Sequence, residues 1–258
     1  MERSVRFLSE GYPGVPGRDT AIARALLVRA SEGLLGETFR LHVPGRIVAF
    51  GKHDMLEEAF PAAVAAAGDE GFLPVLRLAG GRAAVFHERT LAFHWTVPDA
   101  EPRASVTLRY ESMAALMVAA FARLGIATEV GELAGEYCPG RYSVHLAGGG
   151  KVMGVGQRLA RGAAHVGGVV VVSDPGLVNR PLVPVYRHLG VAWDPDATGA
   201  LDEALPGLTL GAVSDAIVAE LPTLGAVAPG EIDEGTLELA DRLVGDHVLV
   251  PGAATGGW

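Results

Sequence analysis

A single cysteine, Cys138, occurs in 258 residues. That excludes an internal disulfide, and a lone thiol fits a reducing compartment, so a cytoplasmic location is expected. Lysine is nearly as scarce: of 21 basic side chains only Lys52 and Lys151 are lysines. No apolar run reaches the roughly 18 residues of a membrane span; the longest, 113–122, is closed by Arg123. The first ten residues hold no apolar stretch of the kind a secretory signal needs. Positive charge is short too: a net −9 without a basic tail speaks against nucleic-acid binding. Histidines 42, 53, 87, 94, 145, 165, 188 and 247 lack metal-ligand spacing, so no metal site is expected. A phosphate-loop lysine motif, a nucleophile-elbow serine and a dinucleotide glycine pattern are all missing.

What is present is a folding chain. Hydrophobic residues make up 49 % and charged residues 20 %, which excludes wholesale disorder. Glycine, at 35 residues, is about twice its usual share. The length suffices for a sizeable core. Apolar spacing predicts helices over 21–35, 62–67, 106–124, 185–189, 210–221 and 234–244. Strands are expected in the 40–51 stretch on either side of the Pro44-Gly45 turn. Others are expected at 75–78, 83–87, 91–97, 128–130, 143–146, 151–158 and 164–172. Prolines 175, 181 and 184 are read as breaking the helix pattern, and 222–230 as a linker. Runs of strands separated by one long helix indicate an α+β class with a mixed β-sheet flanked by helices. One domain over 1–258 is expected, with a helical tail from about 205.

Two stretches carry chemistry. In Arg77-Leu-Ala-Gly-Gly-Arg-Ala-Ala-Val-Phe-His87, Gly80 and Gly81 let a ligand lie against bare backbone, and Arg77 and Arg82 flank the turn as anion holders. A tight hairpin with two exposed arginines would give the same pattern. The second stretch runs from Glu136 to Arg158. Cys138 sits in a Cys-Pro-Gly turn with Arg141, His145 and Lys151 within thirteen residues, the electropositive surroundings that make a thiolate. The bland alternative is a small inert hydrophobe. Gly150 precedes Lys151, and Gly154 and Gly156 alternate after it, baring part of one strand face. A lysine beside a bare face suits a flat acyl or nucleotide ligand, and a glycine-weakened edge strand is the plain alternative. Arginine and lysine are not interchangeable, which sharpens interest in the two lysines that remain.

Together these residues resemble the lipoate/biotin protein ligase superfamily, in its lipoate-protein ligase A-like branch, over about 19–203. The helix from Asp19, the Phe50-Gly-Lys52 strand end, Arg77-x-Ala-Gly-Gly-x-Ala and Gly150-Lys151-Val-Met-Gly-Val-Gly-Gln-Arg158 carry the likeness. Tyr137-Cys138-Pro-Gly-Arg-Tyr142 and the 193–201 stretch resemble the cysteine-dependent octanoyltransferase and lipoyl amidotransferase group. Ala79 departs from the usual serine of the glycine loop, and Arg82 from a small residue.

The resemblance implies a biotin/lipoate protein ligase catalytic-domain fold and a cytoplasmic acyltransferase. Cys138 would carry the octanoyl or lipoyl group as a thioester, Lys151 would hold the acyl carbonyl oxygen, and Arg77, Gly80, Gly81, Gly150, Gly154 and Gly156 would bind substrate. Donor and acceptor would be lipoyl-domain proteins, the glycine-cleavage H protein or a 2-oxoacid dehydrogenase E2, with no nucleic acid and no membrane involved. No cofactor beyond the transferred lipoate or octanoate is needed on this reading. An ATP-dependent lipoate–protein ligase, requiring ATP and Mg²⁺ but not Cys138, is the alternative on the same fold. Only about 55 residues follow Leu201, short for the accessory domain such ligases often carry, which favours the transferase. A non-catalytic binding module is the third reading. Docking an acidic lipoyl domain on a chain of net charge −9 would need Arg77, Arg82, Arg141, Arg158 and Arg161 to form a positive patch.

Overall fold

A computed structural model describes residues 3–250. In chain order the elements are β1 (Ser4–Leu8), α1 (Arg18–Ser31), β2 (Glu37–His42), β3 (Ile47–Phe50), α2 (Phe60–Asp69), β4 (Leu73–Leu76), β5 (Ala84–Phe86) and β6 (Thr90–Pro98). Then come α3 (Val106–Arg123), β7 (Thr128–Val130), β8 (Val144–Leu146), β9 (Lys151–Ala160), β10 (Ala163–Val171), α4 (Pro175–Leu189), α5 (Leu210–Glu220), β11 (Ala226–Pro229) and α6 (Glu234–Leu243). Eight strands form a mixed sheet in the order β11-β1-β2-β6-β10-β9-β8-β7, and β4-β3-β5 form a second, smaller one. The expected α+β class with a mixed sheet between helices is what forms. No helix among the described residues is long and apolar enough to cross a membrane.

Strand alternation divides the large sheet into an apolar face and a site face. On the apolar face Phe39 and Leu41 of β2, Phe93 and Trp95 of β6, and Val166 and Val170 of β10 meet Met113, Leu116, Met117, Ala120 and Phe121 of α3 in the main core. The opposite face carries Arg40 and His42, Ala92 and His94, His165 and Gly167, then Gly154 and Gly156. Small residues keep this face hollow. The small sheet lies over it, with Ala49 of β3 and Val75 of β4 lining the same cavity as Ala92 and His94.

Close strand approach explains one glycine. A Cβ on Gly168 of β10 would overlap the Gly154 carbonyl and stand 2.5 Å from the Phe93 ring. Backbone on one side and a packed aromatic on the other leave no room to yield. Gly168→Ala is expected to destabilise the fold by about 3 kcal/mol, read as a lowered urea midpoint.

The two strands expected around Pro44-Gly45 form as β2 and β3, and the turn passes the chain from the large sheet to the small one. Three expectations change. The helix expected at 185–189 begins at Pro175 and runs through Pro181 and Pro184. Val178, Leu182, Val185, Tyr186 and Leu189 make a continuous buried stripe, and burying it outweighs the two missing backbone donors. The 222–230 stretch is no linker, because Ala226–Pro229 pairs in parallel with β1 as an edge strand. For the same reason the tail is helix–strand–helix and not purely helical. Pro229 is tolerated there because it closes an edge strand.

Candidate active site

Cys138, Lys151 and the glycine loop converge on one cavity of about 370 Å³ on the site face of the large sheet. Lys151 arrives there through an irregularity that sequence alternation alone would not place. Val144 pairs with Met153 but His145 with Lys151, so β9 carries one extra residue. Val152 and Met153 therefore both enter the main core. This bulge flips the parity and puts Lys151 on the same face as Gly154 and Gly156. A Cβ on Gly154 would lie 3.4 Å from the Lys151 side chain, so the glycine leaves the space the lysine uses.

Lys151 is 1 % exposed. Its Nζ donates to the carbonyls of Tyr137 (3.0 Å) and Cys138 (2.9 Å) and to Oε1 of Glu136 (3.2 Å). All three ammonium protons thus grip the cysteine loop, so any further acceptor at Nζ would have to displace one of these partners. Glu136 Oε1 also accepts from the Gly140 N–H (2.8 Å) and Ser143 Oγ (2.7 Å). The loop is folded around this one carboxylate.

Cys138 itself takes a left-handed conformation, φ +42°. For a non-glycine residue that stores about 1–2 kcal/mol, held by the Lys151 contact and by Tyr186, whose hydroxyl accepts from the Cys138 N–H (2.9 Å) and donates to the Ala83 carbonyl (2.8 Å). Proline at 139 and the half-buried setting match an accessible thiol. Arg77 Nη2 lies 3.2 Å from Sγ and donates to the Arg82 carbonyl at 2.6 Å. Burial alone would push the thiol up. The nearby charges of Arg77 and Lys151, the Arg77 hydrogen bond and the Arg82 backbone N–H outweigh it, and the thiol is held below its ordinary value.

Gly81 is required by the same geometry. Its φ is +106°, and a Cβ there would overlap the Arg77 guanidinium and stand 2.8 Å from Sγ. Gly80 lines the cavity beside it. The loop is not a hairpin, since β4 and β5 both flank β3 and the 77–83 segment passes over the end of β3.

Not every expected residue belongs to the cavity. Gly150 is packed against the Thr198 and Gly199 backbone, where a Cβ would stand 2.5 Å from both, so its smallness serves a chain crossing. Arg82 turns away to Glu57 (2.8 Å) and Asp54 (3.4 Å), and Arg77 is committed to the thiol. Two of the five arginines of the expected docking patch are thus paired internally. His145 is half-buried and its Nδ1 faces the Leu146 carbonyl at 3.2 Å, so it does not line the cysteine cavity. Lys52 is exposed, outside the cavity lining. Glu136 and Tyr186 were missed as functional residues. Glu136 had a signal in its position two residues before Cys138, whereas Tyr186 falls in the expected 185–189 helix, which nothing in the sequence ties to Cys138.

The charge arrangement has a measurable consequence. The pH profile of Cys138 alkylation by iodoacetamide is expected to have its midpoint below the free-thiol value of about 8.5, and Arg77→Gln to raise that midpoint and slow alkylation at pH 7. Because the folded thiol is held below its unfolded value, its ionisation adds stability above about pH 8.5, an increment lost as pH falls through the folded midpoint. An unshifted profile in both proteins would contradict this electrostatic account.

Comparison with known proteins places these residues in context. Residues 16–221 match the model of the lipoyl protein ligase A/B catalytic domain. An octanoyl-[GcvH]:protein N-octanoyltransferase of Geobacillus kaustophilus is 31 % identical over 170 residues, 66 % of this chain and 60 % of the relative. A lipoyl-[GcvH]:protein N-lipoyltransferase of Listeria monocytogenes is 30 % identical over 128 residues, 49 % of this chain and 46 % of the relative. The matched segments thus span less than two thirds of these relatives' lengths. Among solved structures, the bipartite lipoate protein ligase of Thermoplasma acidophilum, studied with its E2 lipoyl domain, superposes with a TM-score of 0.74 at 16 % identity, covering 94 % of this chain and 92 % of that one. A lipoate-protein ligase A bound with ATP gives 0.71 at 17 % identity, with 95 % of both chains covered. At these identities the likeness is one of fold.

Proposed function

The chain belongs to the lipoyl protein ligase A/B catalytic domain family, and on that premise we propose that it moves an octanoyl or lipoyl group through a Cys138 thioester onto a lysine of a lipoyl domain. The observation that carries this reading is the thiol itself, half-buried at a cavity and lowered by Arg77 and Lys151. A ligase that activates its acid with ATP has no use for such a group. Names of relatives that include GcvH as acyl carrier support a lipoyl-domain protein as donor.

In the first step the thiolate attacks the carbonyl carbon of the donor's acyl-lysine amide. A C–S bond forms, the C–N bond breaks, and the donor amine leaves with the proton the thiol gave up. Lys151, released from one loop carbonyl, supplies positive charge to the developing oxyanion. In the second step the acceptor lysine amine attacks the thioester, an amide forms, and the thiol is restored. The acyl chain lies along the bare face made by Gly154, Gly156 and Gly167. Neither step consumes ATP or needs Mg²⁺.

Intact-mass spectrometry after mixing the protein with an octanoylated carrier, without ATP, tests this. One octanoyl adduct is expected, lost again when an unmodified lipoyl domain is added. No adduct without ATP, but acylation of the lipoyl domain from free octanoate once ATP and Mg²⁺ are present, would make the protein a ligase.

A further inference from the structure

The bare face continues past the cysteine cavity into a second chamber of about 200 Å³, which shares Arg77, Phe86, Gly167 and Gly168 with the first. Its sheet-side wall is made of imidazoles: His42 on β2, His94 on β6 and His165 on β10. His42 and His94 stack with ring centroids 5.4 Å apart at 9°, their Nε2 atoms 3.3 Å apart, and His165 follows at 5.4 Å from His94. Burial lowers the basicity of His42 and His165 to about 4 and holds that of His94 well below the usual imidazole range, so all three are uncharged near neutrality.

A neutral imidazole carries one N–H and one lone pair. Here Nδ1 of each of the three rings lacks a hydrogen-bond partner among the described residues, His42 Nδ1 standing 3.9 Å from the Asp19 carboxylate. Buried polar nitrogens left unpaired cost stability. The opposite faces of these same strands present Leu41, Phe93 and Val166, so aliphatic and aromatic walls were available to this sheet. Among the described residues no group of three or more such side chains has metal-holding geometry, so the stack is not built around an ion.

Register fixes the distance to the thiol end. Gly154 pairs with Val169, Val169 with Ala92 and Ala92 with His42, a row from β9 to β2. Three inter-strand spacings of about 4.8 Å make that row roughly 14 Å long. An extended eight-carbon chain, with C–C bonds of about 1.5 Å in zigzag, spans on the order of 9 Å. A chain tied to Cys138 beside β9 therefore covers about two of these spacings and ends near β6, the strand that carries His94 between His165 and His42.

We propose that His42, His94 and His165 seat the far end of the acyl chain and make the protein favour lipoyl over octanoyl groups. This rests on the acyl-transfer reading above. The lipoyl dithiolane places two sulfurs where octanoyl has only hydrocarbon. Divalent sulfur accepts weak N–H contacts and packs favourably against aromatic rings, which imidazoles offer and octanoyl does not use.

Isothermal titration of the full chain with lipoamide and with octanamide, beside transfer from lipoyl- and octanoyl-loaded carriers, tests the preference. Lipoamide is expected to bind about tenfold more tightly than octanamide. His94→Leu should shrink that ratio to about twofold or less, and His94→Gln, which keeps a donor and an acceptor, should retain most of it. Equal or tighter octanamide binding, a ratio unmoved by His94→Leu, or no binding of either amide would each overturn the proposal. Equal amide binding with both groups transferred would overturn the chamber's role and leave the transfer reading standing. Selective lipoamide binding without transfer from either carrier would do the reverse.

Discussion

Cys138→Ser is expected to abolish the acyl adduct and to lower carrier-to-acceptor transfer by at least about a thousandfold. Arg77 and Lys151 lower the thiol, but their fields are far too small to ionise a hydroxyl at neutral pH, and none of the described residues lining the cavity is an Asp, Glu or His that could take its proton. His145, the nearest histidine in sequence, does not line the cavity. A serine at 138 is left un-ionised. The fold should hardly respond. The Cys138 backbone N–H still meets Tyr186, its carbonyl still meets Lys151, and serine is no larger than cysteine. A melting temperature within about 3 °C of wild type is expected. A variant that folds normally and still acylates a lipoyl domain at near wild-type rate with ATP and Mg²⁺ would sink the thioester route.

Much of this site was legible in the sequence, and the part that was not has identifiable causes. Cys138 and Lys151 stood out because chemistry-bearing residue types are scarce in this chain, and scarcity survives folding. Gly154 and Gly156 were read as a bare face because strand alternation has a fixed period. That same period would have put Lys151 on the opposite face, and only the bulge at Val152 and Met153 brings it round. A bulge is set by pairing between strands, which one strand's sequence does not carry. The helix through Pro181 and Pro184 was missed for a similar reason: its stripe is rewarded by burial against α2, a tertiary effect stronger than local propensity. β1 and β11 are short and make a pair remote in sequence, so neither had a local signal. The histidine stack is assembled from three strands, and no spacing between residues 42, 94 and 165 announces it.

Lys151→Met should damage stability and chemistry together, and a second variant separates the two. Lys151 and the Glu136 side chain are both excluded from solvent and 3.2 Å apart. Removing one partner of such a pair leaves a buried uncompensated charge, a loss of about 3–5 kcal/mol, and frees the Tyr137 and Cys138 carbonyls from their donor. Restoring neutrality with Lys151→Met/Glu136→Gln should recover about 1–3 kcal/mol of that loss, because the amide can still accept from Gly140 and Ser143. Transfer should not return. The thiol in the double variant lacks one of the two side-chain cations that lower it, so its alkylation midpoint is expected to stay above the wild-type position, and the oxyanion has lost its ammonium. If the double variant regained transfer along with stability, Lys151 would be a strut for the cysteine loop and nothing more. A recovered fold with a raised thiol midpoint and no transfer would assign the lysine its electrostatic role.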